Sequence, residues 1–225
     1  MSLELMYFFE YNLKIMKLKL PKIVPVFPLR GVIFFPKTNL PLNIFEPRYL
    51  ELINDSAKSN KYMGLIQSKK NSTDVYSVGC LGKITENKRT KDGRILVNLI
   101  GITRFEIKLE INSDKEYREF EVSYDKFKED LDSKKEQLEK IEKIQELSEK
   151  TKIFFKKNGL LLNWQEFDKL GEDQRINTLA MIAPISDEEK QTILESVSIE
   201  SKKEALSNII EFYLYENSIN KLTIQ

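Results

Sequence analysis

Few residues in this sequence have the types and spacing that catalysis or metal binding requires. The 225 residues contain no histidine and one cysteine, Cys80. Without histidine, Ser-His-Asp and Cys-His catalysis and the usual zinc ligand sets are excluded. One cysteine also rules out an intrachain disulfide framework, which is typical of a reducing, cytoplasmic setting. Cys80 lies between Gly79 and Leu81 in an apolar stretch, which favours a buried inert thiol over a nucleophile.

Sequence motifs for other chemistries are absent as well. The chain has neither a phosphate-binding G-x-x-x-x-G-K-[ST] loop nor a G-x-S-x-G nucleophile elbow. Gly79 and Gly82 resemble part of a dinucleotide fingerprint but lack its strand-turn-helix context. Serine–lysine catalysis needs no histidine and is open on composition, although no serine lies in a catalytic-looking frame. We therefore predict no catalytic residues, no metal site and no cofactor.

One carboxylate has charged neighbours that suggest a specific partner. Glu46 lies between Phe45 and the pair Pro47-Arg48, and Arg30 lies upstream in the same proline-rich segment. We expect an ion pair of Glu46 with these arginines that holds a strand to the start of the next helix, rather than a catalytic carboxylate. If such a pair is buried, removing one partner should cost about 3–5 kcal/mol of stability.

The most basic segment is residues 83–94. It contains Lys83, Lys88, Arg89, Lys91 and Arg94 against Glu86 and Asp92. Lys91-Asp92-Gly93 is a hairpin turn signal, so these cations should project near the tip of a hairpin and could contact phosphate. The hairpin has no aromatic residue on which a base could stack, which favours an ordinary solvated hairpin.

The elements that position these residues differ between the two halves of the chain. Six of the seven prolines lie within residues 21–47, and prolines at that density prevent a helix. Residues 21–46 are therefore predicted to be short extended pieces joined by turns. The apolar spacing after Pro47 predicts one amphipathic helix over residues 47–59. Apolar runs and alternation then predict strands over residues 62–67, 76–87, 94–101, 105–111 and 120–124.

From about Asp125 the pattern becomes helical. Helices are predicted over residues 134–157, 164–170 and 173–182, and two more at the capping signatures Ser186–Glu189 and Ser201–Glu204. Strands followed by helices predict an α+β fold whose first half is a small barrel or twisted sandwich. The predicted divisions are a variable extension (1–20), a β-rich subdomain (21–126) and an α-helical subdomain (127–225).

Overall charge and hydropathy give no indication of a nucleic-acid or membrane partner. Lys and Arg (36) nearly balance Asp and Glu (35), so the chain has no overall attraction to nucleic acid or anionic lipid. Residues 1–20 are interrupted by charges and lack a cleavage site, and we expect neither a signal peptide nor a membrane span. Met6 and Met16 are plausible start codons besides Met1.

Several stretches together resemble one known family, the amino-terminal, substrate-binding domain of Lon protease. They are residues 25–36 (PVFPLRGVIFFP), 40–49 (LPLNIFEPRY), 78–85 (VGCLGKIT), 101–107 (GITRFEI) and 183–195, in the family's order. The resemblance spans about residues 21–215. Lys37 departs from it, because the family usually has glycine after that proline, and so does Lys202 or Lys203, where an arginine is common.

The resemblance implies a PUA-like β pseudo-barrel with one inserted helix, followed by an α-helical bundle. It also implies binding of unfolded or damaged polypeptide, for which Arg30, Phe34, Phe35, Phe45, Arg48 and Tyr49 are the candidate residues; alternatively, these aromatics are core. Full-length Lon continues into an AAA+ ATPase and a serine–lysine peptidase, which this sequence lacks. We therefore expect a stand-alone, non-enzymatic Lon-domain protein or a piece of a longer one.

The implied role is that of a cytoplasmic adaptor or holdase in protein quality control, with a Lon-type or other ATP-dependent protease as a possible partner. Two alternatives stay open. PUA-like barrels elsewhere bind RNA, which here would depend on Lys88, Arg89 and Lys91. Peptidase activity in its own right is the least favoured, since the ATPase and peptidase segments are missing from the sequence.

Overall fold

Six β-strands and one helix make up the first half of the chain in the computed structural model, which describes residues 19–131 and 141–222. The strands are β1 (Ile23–Leu29), β2 (Asn39–Ile44), β3 (Tyr62–Ser68), β4 (Val75–Arg89), β5 (Ile95–Ile111) and β6 (Arg118–Ser123). Helix α1 (Pro47–Lys58) lies between β2 and β3. Pro47 begins it, at a position where no backbone N–H is needed. The predicted helix at residues 47–59 is confirmed.

The six strands form one sheet that closes on itself. Its order is β2-β5-β4-β3-β1-β6, and an additional pairing of β5 with β6 completes a barrel. β1 pairs with β3 in parallel, and the other pairings are antiparallel. β2 pairs with the first half of β5 and has no second neighbour among the described strands. It is therefore an edge strand.

One strand prediction is wrong in its division. Residues 94–101 and 105–111 were predicted as two strands, but β5 is continuous over 17 residues. Its first half pairs with β2 and its second half with β6, while β4 pairs with it from Ile95 to Glu106. Two irregularities in the β4–β5 register, at Leu81/Gly82 and Ile84/Glu86, allow the pair to bend without a break.

Helical segments begin at Asp125, directly after the last strand. A 3₁₀ segment (Asp125–Leu131) is followed by α2 (Ile141–Lys157), α3 (Trp164–Phe167), α4 (Glu172–Ile182), α5 (Asp187–Glu195) and α6 (Ile199–Leu222). These elements confirm the predicted α+β class. Predictions for residues 1–18 and for the start of the helix at 134–157 lie outside the described residues.

The two capping predictions had different outcomes. Ser186 and Glu189 form the predicted capping box, in which each side chain accepts a hydrogen bond from the other residue's backbone N–H. The second capping prediction, with Ser201 as the capping residue, is wrong by three residues, because the capping hydroxyl belongs to Ser198. Ser198 Oγ accepts from the Ser201 N–H, and Ser201 Oγ accepts from the Ser198 N–H. Serine at the third position of the helix thus does what glutamate usually does.

The helices pack against the barrel around a shared core. One cluster of buried side chains joins Ile33, Phe35 and Val78 of the first half to Phe127 and to apolar residues of α2, α4, α5 and α6. Two further clusters fill the barrel and the space beneath α1. Since burial of apolar surface is the main stabilising term, the barrel and the helices stabilise each other.

Candidate functional site

Three of the six candidate residues are core. Phe34, Phe35 and Tyr49 are only 2%, 0% and 6% exposed. Tyr49 lies on α1 and packs edge-on against Phe27, with ring centroids 4.1 Å apart. The expectation that these three aromatics form an accessible surface is therefore wrong for this structure, and their role is to join the loop before β2 and helix α1 to the barrel.

The ion-pair prediction is half right. Arg48 Nη2 lies 2.8 Å from Glu46 Oε2, at the start of α1. Arg30 is not the partner; its guanidinium donates to the Ser72 carbonyl at 3.3 Å. Both members of the Glu46–Arg48 pair are about half exposed, so the pair should contribute only about 0–1 kcal/mol, far less than a buried one.

Exposed apolar surface is found instead beside β2. Phe45, directly after β2, is 66% exposed, and Leu96 on β5 is 45% exposed. Leu96 lies opposite Asn43 of β2 and next to Lys88 of β4. Pro41, Asn98 and Glu86 form the next row across the same three strands. Because side chains alternate between the faces of a sheet, these two rows share the outer face.

This outer face contains an open groove, called here the β2–β5–β4 groove. It has a volume of about 990 Å³ and is lined by Pro41, Leu42, Asn43, Thr85, Glu86, Asn87, Lys88, Leu96, Val97 and Asn98. Leu96 and Pro41 form the apolar part, and amide and charged side chains surround them. Such a mixture can bury an apolar side chain of a ligand and hydrogen-bond its backbone.

The free edge of β2 is shaped by two residues. Lys37 has a φ of 62°, and its backbone N–H donates to the Gly101 carbonyl at 2.8 Å. The Gly101 N–H in turn donates to the Thr38 carbonyl at 2.9 Å. Lys37 and Thr38 both lie opposite Gly101, which makes this a β-bulge. Counting residue pairs from the bulge, Pro41 and Asn98 form a non-hydrogen-bonded pair. The N–H that proline lacks would therefore point to the free edge of β2, away from β5. The edge thus offers one donor fewer for strand addition.

The hairpin that carries the predicted basic segment forms one wall of the groove. Its turn is closed by the Thr90 N–H, which donates to the Arg94 carbonyl at 2.9 Å. Arg94 pairs with Asp92 at 2.7 Å, and this contact lowers the pKa of the Asp92 carboxyl. Within the described residues, Lys88 and Lys91 have no carboxylate within 4.0 Å and are exposed. Lys88 therefore lines the groove as an unpaired cation, and Lys91 lies beyond it in the turn.

A polar network that sequence reasoning missed lies buried at the junction of barrel and helices. Arg104 on β5 pairs with Asp130 of the 3₁₀ segment at 2.7 Å. Lys202 on α6 lies 3.9 Å from Asp130 and donates to Asn177 at 3.1 Å. Asn177 on α4 in turn donates to the Pro36 carbonyl at 2.9 Å. The signal was present, because Arg104 lies within a strand whose neighbouring residues are apolar.

The pKa values of this network follow from burial and charge. Burial opposes ionisation of Asp130, but the hydrogen bonds of Arg104 and the charge of Lys202 hold the pKa of Asp130 below its usual range. Burial, with the positive charge of Arg104, lowers the pKa of Lys202 to about 8. Burial raises the pKa of the nearby Cys80 thiol. The thiol is inaccessible, and the network joins β5, the 3₁₀ segment, α4, α6 and the loop before β2.

Two other kinds of site are absent from the part of the chain that the structure describes. Within residues 19–131 and 141–222, no three residues among the acidic and cysteine side chains converge as metal ligands do. Over the same ranges, none of the helices combines the length and apolar character that crossing a membrane requires. The β2–β5–β4 groove is a candidate site that needs neither a metal nor a membrane.

Comparisons with known proteins agree on one family. The family model described as "ATP-dependent protease La (LON) substrate-binding domain" matches residues 23–211. The Lon protease of Dictyoglomus thermophilum is 24% identical over 89% of this chain and 25% of its own length. That of Elusimicrobium minutum is 34% identical over 39% of this chain and 11% of its own length. The chain thus spans a quarter or less of these curated relatives.

Solved structures show the same fold. The Lon N-terminal domain protein from Xanthomonas campestris superposes with a TM-score of 0.60 at 18% identity, covering 83% of this chain and 97% of that one. The N-terminal domain of the Mycobacterium avium complex Lon protease gives a TM-score of 0.62 at 17% identity, covering 84% and 98%. At these identities the likeness shows the fold alone.

Proposed function

The chain belongs to the family of Lon substrate-binding domains, and on this premise we propose that it is a non-catalytic module that binds unfolded or damaged polypeptide. The observation that carries the proposal is the β2–β5–β4 groove, where exposed Leu96 and Pro41 are surrounded by polar side chains. A folded protein hides its apolar side chains, so an exposed apolar groove selects chains that have lost their fold.

The residues that bind polypeptide are a revised set. Of the six candidates, Arg30, Phe45 and Arg48 are accessible. Phe45 is two residues beyond Asn43, the position at which a continued strand would present it on the groove's face. We assign binding to Phe45, Leu96, Pro41 and the amides of Asn43 and Asn98, with Arg48 at the periphery.

The proposal includes a cellular role. A module that grips unfolded chain without hydrolysing it fits an adaptor or holdase in cytoplasmic protein quality control, working with a Lon-type or other ATP-dependent protease. Support comes from the family and from the single buried free thiol, which suits a reducing compartment. RNA binding is less favoured, because Arg89 donates to Asn54 of α1 and the hairpin has no aromatic residue for base stacking.

The test measures binding of a labelled, permanently unfolded protein, reduced and alkylated, by fluorescence anisotropy. We expect a Kd on the order of tens of micromolar, about −6 to −7 kcal/mol, and no binding of the same protein in its native state. Leu96→Ser should weaken binding about five-fold, because it removes an apolar contact worth about 1 kcal/mol. Leu109→Ser is the matched control, since Leu109 is 59% exposed and lies on the other half of β5. The proposal is contradicted if the unfolded protein does not bind at 100 μM, or if the two variants weaken binding equally.

A further inference from the structure

The charges along the β2–β5–β4 groove are not evenly distributed. Glu86 lies in the row with Asn98 and Pro41, towards the body of the barrel. Lys88 lies one row nearer the hairpin tip, beside Leu96, and Lys91 lies in the turn itself. Pro41 shares the row of Glu86 and Leu96 shares the row of Lys88, so the charge along the β4 side changes from acidic to basic towards the hairpin tip while apolar side chains lie beside it.

The other charges near the tip are already engaged. Arg94 is held by Asp92 at 2.7 Å. Arg89 lies opposite the buried Ile95, which places it on the other face of the hairpin, and it donates to Asn54 of α1 at 3.4 Å. Lys83, one row beyond Glu86, lies over the Tyr62 ring at 5.5 Å from its centre. Towards the tip, Lys88 lines the groove and Lys91 lies in the adjacent turn, so these are the cations that a ligand would meet there.

The mode of binding is constrained by β2. Pro41 removes an outward N–H from the middle of a six-residue edge strand, so a ligand cannot extend the sheet with a complete set of backbone hydrogen bonds. Side chains on the outer face are left to recognise the ligand. Recognition of side chains, unlike pairing of backbones, depends on the ligand's sequence.

From this arrangement we infer that the groove prefers extended segments in which an apolar residue is flanked by acidic residues. The inference rests on the proposed function and deepens it by naming a substrate class. The apolar side chain lies against Leu96 and Pro41, and a neighbouring carboxylate meets Lys88 and Lys91. A segment flanked by lysines meets the same two cations and is repelled.

The experiment compares three labelled peptides that share one central leucine-rich segment and differ in their flanks, which are glutamates, glutamines or lysines. At 50 mM salt the glutamate peptide should bind about five-fold tighter than the lysine peptide, with the glutamine peptide between them. At 500 mM salt the difference should shrink to less than two-fold, because exposed charges are screened.

Two double variants, each of which replaces two lysines by glutamates, show which lysines cause the charge preference. In Lys88→Glu/Lys91→Glu the order of the peptides should reverse. In the control Lys70→Glu/Lys157→Glu it should not change, since Lys70 lies in the connection between β3 and β4 and Lys157 at the end of α2, and both are exposed. Leu96→Ser should weaken all three peptides by a similar factor.

Different failures have different meanings. If the three peptides bind equally while Leu96→Ser weakens them all, the charge preference is wrong and polypeptide binding stands. If neither the peptides nor the unfolded protein bind, both proposals fall. Tighter binding of a ten-nucleotide uridine RNA, lost in Lys88→Glu/Lys91→Glu, would make the groove a nucleic-acid surface. If sedimentation shows a dimer that Leu96→Ser dissociates, and the peptides do not bind, the groove is a self-association surface. Either the RNA result or the dimer result overturns the inference.

Discussion

Arg104 and Asp130 form a buried bidentate ion pair between the barrel and the first helical segment. Arg104 Nε lies 2.8 Å from Asp130 Oδ2, Arg104 Nη2 lies 2.7 Å from Asp130 Oδ1, and the two side chains are 1% and 6% exposed. The other guanidinium N–H groups donate to the carbonyls of Leu194, in the last turn of α5, and of Ser196 and Val197, directly after it. All five donors of the guanidinium are satisfied, which fixes β5, the 3₁₀ segment and the end of α5 relative to one another.

Arg104→Met should lower the free energy of unfolding by about 3–5 kcal/mol, because it leaves the Asp130 carboxylate buried without its main partner. Urea denaturation followed by circular dichroism measures the change. Arg118→Met is the control, since the Arg118–Glu110 pair is 33% and 48% exposed and should contribute about 1 kcal/mol or less. Equal losses in the two variants would contradict the account of the junction.

The stability of the wild type should rise relative to that of Lys202→Met between pH 8 and pH 10. The pKa of Lys202 is about 8 in the folded chain and about 10.4 when unfolded, so in this range the unfolded chain binds more protons. The difference between the two proteins should change by about 1 kcal/mol per pH unit. Denaturation at several pH values checks this, and a difference independent of pH would show that Lys202 keeps an ordinary pKa.

Gly101→Ala should destabilise the fold more than Gly93→Ala. A Cβ on Gly101 would lie 2.1 Å from the Phe35 carbonyl oxygen, which is backbone and cannot move aside. We expect a loss of about 3 kcal/mol there. Gly93 has a φ of +88° and open space around it, so alanine there should cost only the conformational strain, about 1 kcal/mol. Thermal denaturation ranks the two, and the reverse order would disprove the close approach.

Phe35→Ala should reduce stability, whereas Phe45→Ala should reduce binding of unfolded protein. Phe35 is fully buried in the core shared by barrel and helices, so its truncation should cost about 3–5 kcal/mol. Phe45 is 66% exposed, so its truncation should change stability by less than about 0.5 kcal/mol. Phe45→Ala should nevertheless weaken binding of unfolded protein several-fold in the anisotropy assay. Unaltered binding would remove Phe45 from the proposed site.

Local pattern was sufficient for most elements and for some capping groups. Proline density excluded helices before residue 47, and the spacing after Pro47 gave α1 to within one residue. The Ser186–Glu189 box was visible because its partners are three residues apart. At Lys37 the sequence departs from the family's glycine, yet the residue keeps a left-handed φ of 62°. The bulge opposite Gly101 demands that conformation, whichever residue occupies it.

The candidate site could not be read from the sequence in the same way. Phe34, Phe35 and Phe45 are equally aromatic and close together in the chain, but the first two are buried and the third is exposed. The groove itself combines residues of three strands, and its residues on β2 and on β4 lie more than 40 positions apart in the chain. No spacing within one strand reveals that Leu96 adjoins both Asn43 and Lys88.

The sequence by itself determined the features that depend on residues close together in the chain, namely the helices, most strands and the hairpin turn. It also determined the lack of histidine chemistry and the family. Only the tertiary structure decided which aromatics are accessible, that Glu46 pairs with Arg48 and not Arg30, and that Arg104, Asp130 and Lys202 share one buried network. The physical reason is that hydrogen-bond periodicity acts over a few residues. Burial and charge pairing depend on distances in space, which the barrel's closure fixes between segments far apart in the chain.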